Sequence, residues 1–274
     1  MTTDKIHPTA VVDPRATVNP DVRIGPYSVI GPQVTLGPGV EIGNHVTIEG
    51  RVVLDAAVKV GHGTVLGGVP QDLKFKPGTP SGVRVGAGTV IREHVTIHRA
   101  TTPEGWTEIG RDCLVMAMAH IAHDCRLADG VIVINYAGLT GHCSVGEKAT
   151  VGGLSGIGPF TRIGAYAYLG GCSTLTVDLP PFMLATGQPA TVRGVNVIGL
   201  RRAGFPPAAR RIIQDAHRLL YRERLTAKAA LDRIANEVPH TPHIAMLIEF
   251  VAAARRGICG PPRGVGAVES EEVV

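Results

Sequence analysis

Aromatic side chains are scarce in this 274-residue chain, at 4% of residues with one tryptophan, five tyrosines and five phenylalanines. A domain of this size ordinarily fills part of its interior with rings, so a core of stacked aliphatic side chains is expected instead. No stretch approaches the roughly 20 consecutive apolar residues of a membrane-spanning helix. The opening Met-Thr-Thr-Asp-Lys-Ile-His has no apolar signal region, which leads to the expectation of a cytoplasmic protein. A dominant charge of one sign is also missing. The 27 basic and 23 acidic residues leave a net charge of +4, and no recognised nucleic-acid motif is present.

What the chain does have is a period. Isoleucine, valine or leucine stands at every sixth position from Ile6 to Leu66, resumes at Val85, Ile91 and Ile97, and then continues from Ile109 to Leu175. Neither a helix nor a half-buried strand repeats every six residues. A hexapeptide parallel β-helix does, because each flat face of a triangular coil uses six residues and three faces close one turn. The fourth residue after each ladder position is small or β-branched, as at Ala10, Ala16, Val22, Ser28 and Val34, which suits a narrow inward corner. Glycine often follows the ladder residue directly, as at Gly25, Gly31, Gly37, Gly43 and Gly61, and these are expected to supply the backbone angles of the corners. The 35 glycines have no Gly-X-Y period, which excludes collagen.

Cysteine adds nothing that points to metal or disulfides. Cys113, Cys125 and Cys143 fall in the small inward slot, Cys172 lies in a Gly-Gly-Cys-Ser corner, and Cys259 is near the end. Without a CxxC pair they are read as small core residues, and no metal site is assigned.

The pattern divides the chain into a β-solenoid over residues 1–190, a C-terminal α-helical domain over 191–257, and a flexible tail over 258–274. Helices are expected over Pro207–Arg224, after Thr226 as N-cap, and from Thr241-Pro242 to a stop at Gly257. Charge is uneven between these parts. Residues 1–200 hold 15 basic and 15 acidic residues, whereas 201–256 hold 11 and 5, including Arg201, Arg202, Arg210, Arg211 and Arg218. This excess is either a solvated helix face or a docking patch for an acidic partner.

Two polar excursions interrupt the ladder, one around Val69–Gly78 and one around Arg99–Thr107. Loops that leave a rigid solenoid commonly carry function, and Gln71, Asp72 and Lys74 make the first a ligand-facing candidate.

Histidines carry the chemical argument. His98, His120, His123 and His142 gather near the middle of the ladder. With 18 residues per coil, residue 141 lies one strand spacing, about 4.8 Å, from residue 123, and residue 142 lies over residue 124. The first pair is His123 and Gly141, the second Asp124 and His142. An imidazole that ordinarily titrates near neutrality has the chemistry to take a hydroxyl proton, and a glycine N–H to hold a tetrahedral oxyanion. Asp124 is placed to set the histidine tautomer. No serine or cysteine is paired with His123, so direct transfer to a bound hydroxyl is simpler than a covalent intermediate. A zinc-dependent β-helical lyase is the rival, but it calls for a His-x4-His pair and positions 120 and 123 give His-x2-His.

Several segments together resemble the acyl-carrier-protein-dependent UDP-N-acetylglucosamine O-acyltransferases, which catalyse the first step of lipid A synthesis. They are Gln71-Asp72-Leu73-Lys74, Val95-Thr96-Ile97-His98-Arg99, His120-Ile121-Ala122-His123-Asp124-Cys125, Gly141-His142, Gly170-Gly171-Cys172-Ser173, and Gly194-Val195-Asn196 through Gly199-Leu200-Arg201-Arg202. The similarity runs from about residue 6 to 257. It implies a left-handed parallel β-helix, a homotrimer with sites between subunits, and an acyl carrier protein as acidic partner. That partner carries its own phosphopantetheine, so no cofactor is implied. His123 falls on the family's general base, Asp124 on its partner and Gly141 on the oxyanion donor. Asp72, Lys74, His98, His120 and His142 fall on positions lining the sugar and acyl sites, and Gln71 belongs to the same matching loop. Asn196 and Arg202 fall on the nucleotide side. Gly171 stands where the family limits acyl length by side-chain size.

The chain also departs from the family pattern. Gly158-Pro159 replaces a His-Gln pair, Pro189 a histidine, Ile198 an acidic residue, and Ala203 the second residue of an Arg-Arg pair. Most of these lie on the acceptor side. They leave two readings open: the standard acceptor held by compensating contacts, or a different nucleotide-linked amino sugar. A non-catalytic scaffold is disfavoured, because base and oxyanion positions survive together.

Overall fold

The computed structural model describes residues 5–261, and those residues build a triangular parallel coil followed by four helices. Short strands recur three to a turn, and each pairs with the third strand on. The first face runs from Val11–Val12 to Thr174–Leu175 as a nine-stranded sheet. The second runs from Thr17–Val18 to Arg162–Ile163 with eight strands. The third starts at Arg23–Ile24 and has ten. Register follows the 18-residue coil, as in Ile121↔Leu139 and Leu127↔Val145. Ladder residues from Ile24 onward are buried, among them Ile48, Leu66, Ile97 and Leu139 at 0% exposure. Each such side chain contributes about 1.5–3 kcal/mol by leaving water. The slot residues Val22, Ser28, Val34, Val40 and Val46 are buried beside them, and Cys113, Cys125 and Cys143 line the same interior as free thiols.

The corners work differently from the sequence expectation. Gly25, Gly31, Gly37, Gly43 and Gly61 do not supply left-handed backbone angles. That conformation falls two residues later and is mostly held by non-glycine residues: Tyr27, His45, Ala57, Asp124, His142 and Phe160 have φ of 59°, 55°, 58°, 59°, 62° and 60°. Each costs an L-residue about 1–2 kcal/mol, which stacking of the coils offsets. The glycines are required by crowding instead. A Cβ on Gly61 would lie 2.5 Å from the carbonyl carbon of Arg92, and one on Gly25 would lie 2.7 Å from the Gly43 oxygen.

Both excursions leave at one corner, between the first and second faces. The first connects Val65–Gly68 to Gly82–Val85 and the second connects Thr96–His98 to Trp106–Ile109. Past the solenoid, Met183–Gly187 and Ala190–Val195 form an antiparallel hairpin that continues the third face, a feature absent from the sequence reading. Helix α1 (Val197–Arg202) was likewise not anticipated, and α2 (Pro207–Tyr221), α3 (Ala227–Glu237) and α4 (Pro242–Ala252) follow. Thr226 and Thr241 cap α3 and α4, accepting from the N–H of Ala229 and Ile244. Helix α2 stops at Tyr221 rather than Arg224, whose φ is 54°. Helix α4 stops at Ala252 rather than near Gly257, because the Ala253 and Ala254 N–H groups turn back to Glu249 and Val251.

The chain at 258–261, expected to begin a flexible tail, instead returns to the solenoid. Ile258 bridges Asp178, Cys259 is buried, and the Gly260 carbonyl accepts from the Val192 N–H. The rest of the expected tail, 262–274, lies outside the described residues. Among the described residues, no helix is long and apolar enough to cross a membrane.

Crowding and backbone angle are separable by mutation. Gly61→Ala is expected to lower the thermal unfolding midpoint clearly, whereas Ala57→Gly, which relieves a left-handed alanine, should leave it within a few degrees of the parent. Differential scanning calorimetry of both variants checks this.

Candidate active site

The corner between the first and second faces gathers most of the candidate residues. His123 and Asp124 occupy its turn in one coil, and Gly141 and His142 occupy it in the next. Because Asp124 is in the left-handed conformation, its side chain folds back beside its own neighbour. His123 Nδ1 and Asp124 Oδ2 are 2.8 Å apart. A carboxylate oxygen only accepts, so the proton of the neutral ring sits on Nδ1 and the lone pair on Nε2. Both side chains are mostly buried, at 12% and 13% exposure.

Gly141 lies against the His123 ring. A Cβ there would stand 2.3 Å from Cε1 and 2.7 Å from Nε2, so no other residue fits without moving the imidazole. Among the described residues no group accepts the Gly141 N–H. His142 meets the His123 ring edge-on at 5.2 Å, and its Nε2 is 3.7 Å from Asp124 Oδ2. Phe160, one coil further, stacks on the outer face of His142 at 4.6 Å and 5°. Asp124, His142 and Phe160 therefore form one column, 18 residues apart at each step.

His98 and His120 stand on adjoining strands of the first face, with rings 4.8 Å apart. Burial pushes His98 down to about 4, helped by the neighbouring His120, His123 and Arg99. Burial also lowers His120, with a smaller contribution from His123. Both are neutral at physiological pH. His120 Nδ1 lies 2.7 Å from Thr96 Oγ1, leaving Nε2 for a ligand, whereas His98 Nδ1 is buried and has no partner. Gln71, Asp72 and Lys74 lie on the loop leaving the same corner. There the Lys74 N–H donates to Asp72 Oδ1 at 2.9 Å, and Arg99 of the second excursion lies 5.5 Å over Phe75.

The remaining candidates lie elsewhere. Gly171 is in a turn between the third and first faces, where a Cβ would come 3.2 Å from the Gly153 oxygen. Asn196 and Arg202 line a cavity of about 1010 Å³ along the third face, with Lys148, Tyr166, Tyr168 and Ile198. The Asn196 side chain is committed to structure: Oδ1 caps α1 at the Gly199 N–H, and Nδ2 donates to the Tyr166 carbonyl at 2.9 Å. The first corner and the third face are on opposite sides of the triangular section, so a single chain does not bring these two groups together.

His123, Asp124 and His142 form a cluster of possible metal ligands within 4.8 Å. It lacks the third histidine of the zinc site considered above, and Asp124 Oδ2 already accepts from the Thr101 hydroxyl at 2.7 Å.

Comparison with known proteins agrees with this layout. Residues 178–259 match the model of the UDP-N-acetylglucosamine O-acyltransferase second domain, and residues 5–38 match the bacterial transferase hexapeptide repeat. Acyl-[acyl-carrier-protein]–UDP-N-acetylglucosamine O-acyltransferases of Burkholderia mallei and Burkholderia thailandensis are 49% and 48% identical over 259 residues, covering 93% of this chain and 98% of theirs. The chain belongs to this acyltransferase family. Solved relatives superpose closely. LpxA of Acinetobacter baumannii has a TM-score of 0.89 at 37% identity, covering 93% of this chain and 100% of its own. The Moraxella catarrhalis enzyme has 0.90 at 34%, covering 93% and 99%.

Four members of the site escaped the sequence reading. Thr96, Thr101 and Thr107 hold His120 and Asp124 through hydroxyl groups, and Phe160 stacks on His142. Phe160 had a signal, since it is 18 residues from His142. The threonines had none, because the excursions shift the count.

Gly141→Ala is expected to lower turnover by about 100-fold or more while the protein still folds, because the methyl group displaces the His123 ring and crowds the free N–H. Steady-state kinetics with a circular dichroism control checks this.

Proposed function

We infer that this chain moves a 3-hydroxyacyl group from acyl carrier protein to the sugar 3-hydroxyl of UDP-N-acetylglucosamine, the first step of lipid A synthesis. The observation that carries this reading is the His123–Asp124 pair with Gly141 packed against the same imidazole. His123 Nε2 takes the proton of the sugar hydroxyl as that oxygen attacks the thioester carbonyl. The tetrahedral oxyanion accepts from the Gly141 N–H. Collapse expels the phosphopantetheine thiolate of the carrier protein, and His123 returns the proton to it. Asp124 holds the Nδ1 proton throughout. The catalytic groups are thus His123, Asp124 and Gly141, and no cofactor beyond the donor's own phosphopantetheine is needed.

The working form we propose is a left-handed β-helical homotrimer in the cytoplasm. Separation of the first corner from the third face supports it, since a neighbouring copy would set Asn196 and Arg202 opposite His123. The loop residues Gln71, Asp72 and Lys74, with His98, His120 and His142, would then face the acceptor and the thioester, and Gly171 the acyl end. The solenoid of 1–190 carries this chemistry and the helices of 191–257 the partner. Exposed Arg201, Arg202, Arg211 and Arg222 suit an acidic carrier protein.

A second reading keeps the transfer and changes the acceptor to another nucleotide-linked amino sugar. It is favoured by the side chains at the departures. Ile198 is exposed and lines the third-face cavity with Ala203, while Gly158-Pro159 offers no polar side chain beside Phe160.

Incubation with 3-hydroxyacyl carrier proteins and a panel of UDP-sugars, read by mass spectrometry, tests both. Acylated UDP-N-acetylglucosamine is expected, with His123→Ala lowering its formation by about 10²–10⁴-fold. Product from another UDP-amino sugar alone would select the second reading, and parent-like turnover of His123→Ala would remove the assigned base.

A further inference from the structure

The second excursion has no part in the reaction as written, yet it holds the carboxylate that orients the base. Asp124 Oδ2 accepts from the Thr101 hydroxyl at 2.7 Å and lies 2.8 Å from His123 Nδ1. The Thr101 N–H reaches both carboxylate oxygens, at 3.3 Å and 3.2 Å. The backbone of Asp124 is fixed from the same loop, since its N–H donates to Thr107 Oγ1 at 2.9 Å. Without such ties, a left-handed aspartate at a corner has two free side-chain torsions and several rotamers that turn away from His123.

The excursion is itself anchored. The Arg99 N–H donates to the Gly68 carbonyl, the Ala100 carbonyl accepts from the Ser81 hydroxyl, and the Glu104 N–H donates to the Pro80 carbonyl. Thr101 is thus presented by a loop bonded at both ends to the segment that forms the first excursion.

We propose that Thr101 is a positioning residue for acyl transfer. Its hydroxyl and amide hold Asp124 with one oxygen on His123 Nδ1, so that Nε2 keeps its lone pair toward the acceptor hydroxyl. The proposal rests on His123 being the base. Thr101 touches neither acceptor nor thioester, so its removal acts on turnover through the Asp124–His123 pair and not on substrate binding. Groups that support an orienting carboxylate from behind are typically worth about 10- to 100-fold in activity.

The test is steady-state kinetics of Thr101→Val, Thr101→Ser, Asp124→Asn, the double variant Thr101→Val with Asp124→Asn, and His123→Ala, on folded full-length protein. Thr101→Val is expected to lower kcat by about 10-fold or more with KM for both substrates unchanged. Thr101→Ser, which keeps the hydroxyl, should restore kcat to within about threefold of the parent. The double variant should be no slower than Asp124→Asn alone, because both changes remove one interaction. Thr101→Ala repeats the test should the valine variant not fold. Parent-like kcat in Thr101→Val, a loss confined to KM, a serine variant as slow as the valine one, or additive losses in the double variant would each overturn the proposal while leaving His123 as base. Parent-like turnover of His123→Ala would instead overturn the base assignment and this proposal with it.

Discussion

Backbone hydrogen bonding between successive coils is the constraint on which the rest of this molecule depends. Each coil sits one strand spacing, about 4.8 Å, above the last, and the register is held by a ladder of aliphatic residues with essentially no exposure. Such a stack has little freedom to adjust locally. A side chain at a corner must therefore accept the left-handed backbone that the corner requires, and a residue beneath the next coil must often be glycine. These steric demands fall on every coil, functional or not.

The candidate site uses the same demands. Asp124, His142 and Phe160 share the left-handed position of one corner, which stacks carboxylate, imidazole and phenyl ring in a column. One residue earlier, His123 and Gly141 share the crowded position, which brings a bare backbone N–H to an imidazole. What the solenoid does not supply is an anchor for the carboxylate, and that comes from the excursion carrying Thr101 and Thr107. The rigid part sets positions to within a strand spacing, while the loop sets orientation.

Much of this was legible in the chain because six-residue spacing maps directly onto space. The ladder identified three faces, and a count of 18 paired His123 with Gly141 and Asp124 with His142. The same count would have found Phe160. It fails wherever residues are inserted: Thr96 pairs with His120, 24 residues on, so Thr101 and Thr107 could not be placed over Asp124 by arithmetic. Glycine was misread for a related reason. Its abundance at the first corner position suggested unusual backbone angles, whereas the cause is the backbone of the coil above. The hairpin 183–195 and the return of 258–261 depend on contacts between distant segments, which no local pattern records.

The central claim is that the corner geometry fixes His123 with its proton on Nδ1 and its lone pair on Nε2. Long-range nitrogen–proton correlation spectra of protein labelled with ¹⁵N-histidine report this directly. With assignment by the His123→Gln variant, the neutral imidazole of His123 should show the protonated nitrogen at Nδ1 and a non-protonated Nε2. A predominant Nε2–H tautomer, or rapid exchange between the two forms, would contradict the account.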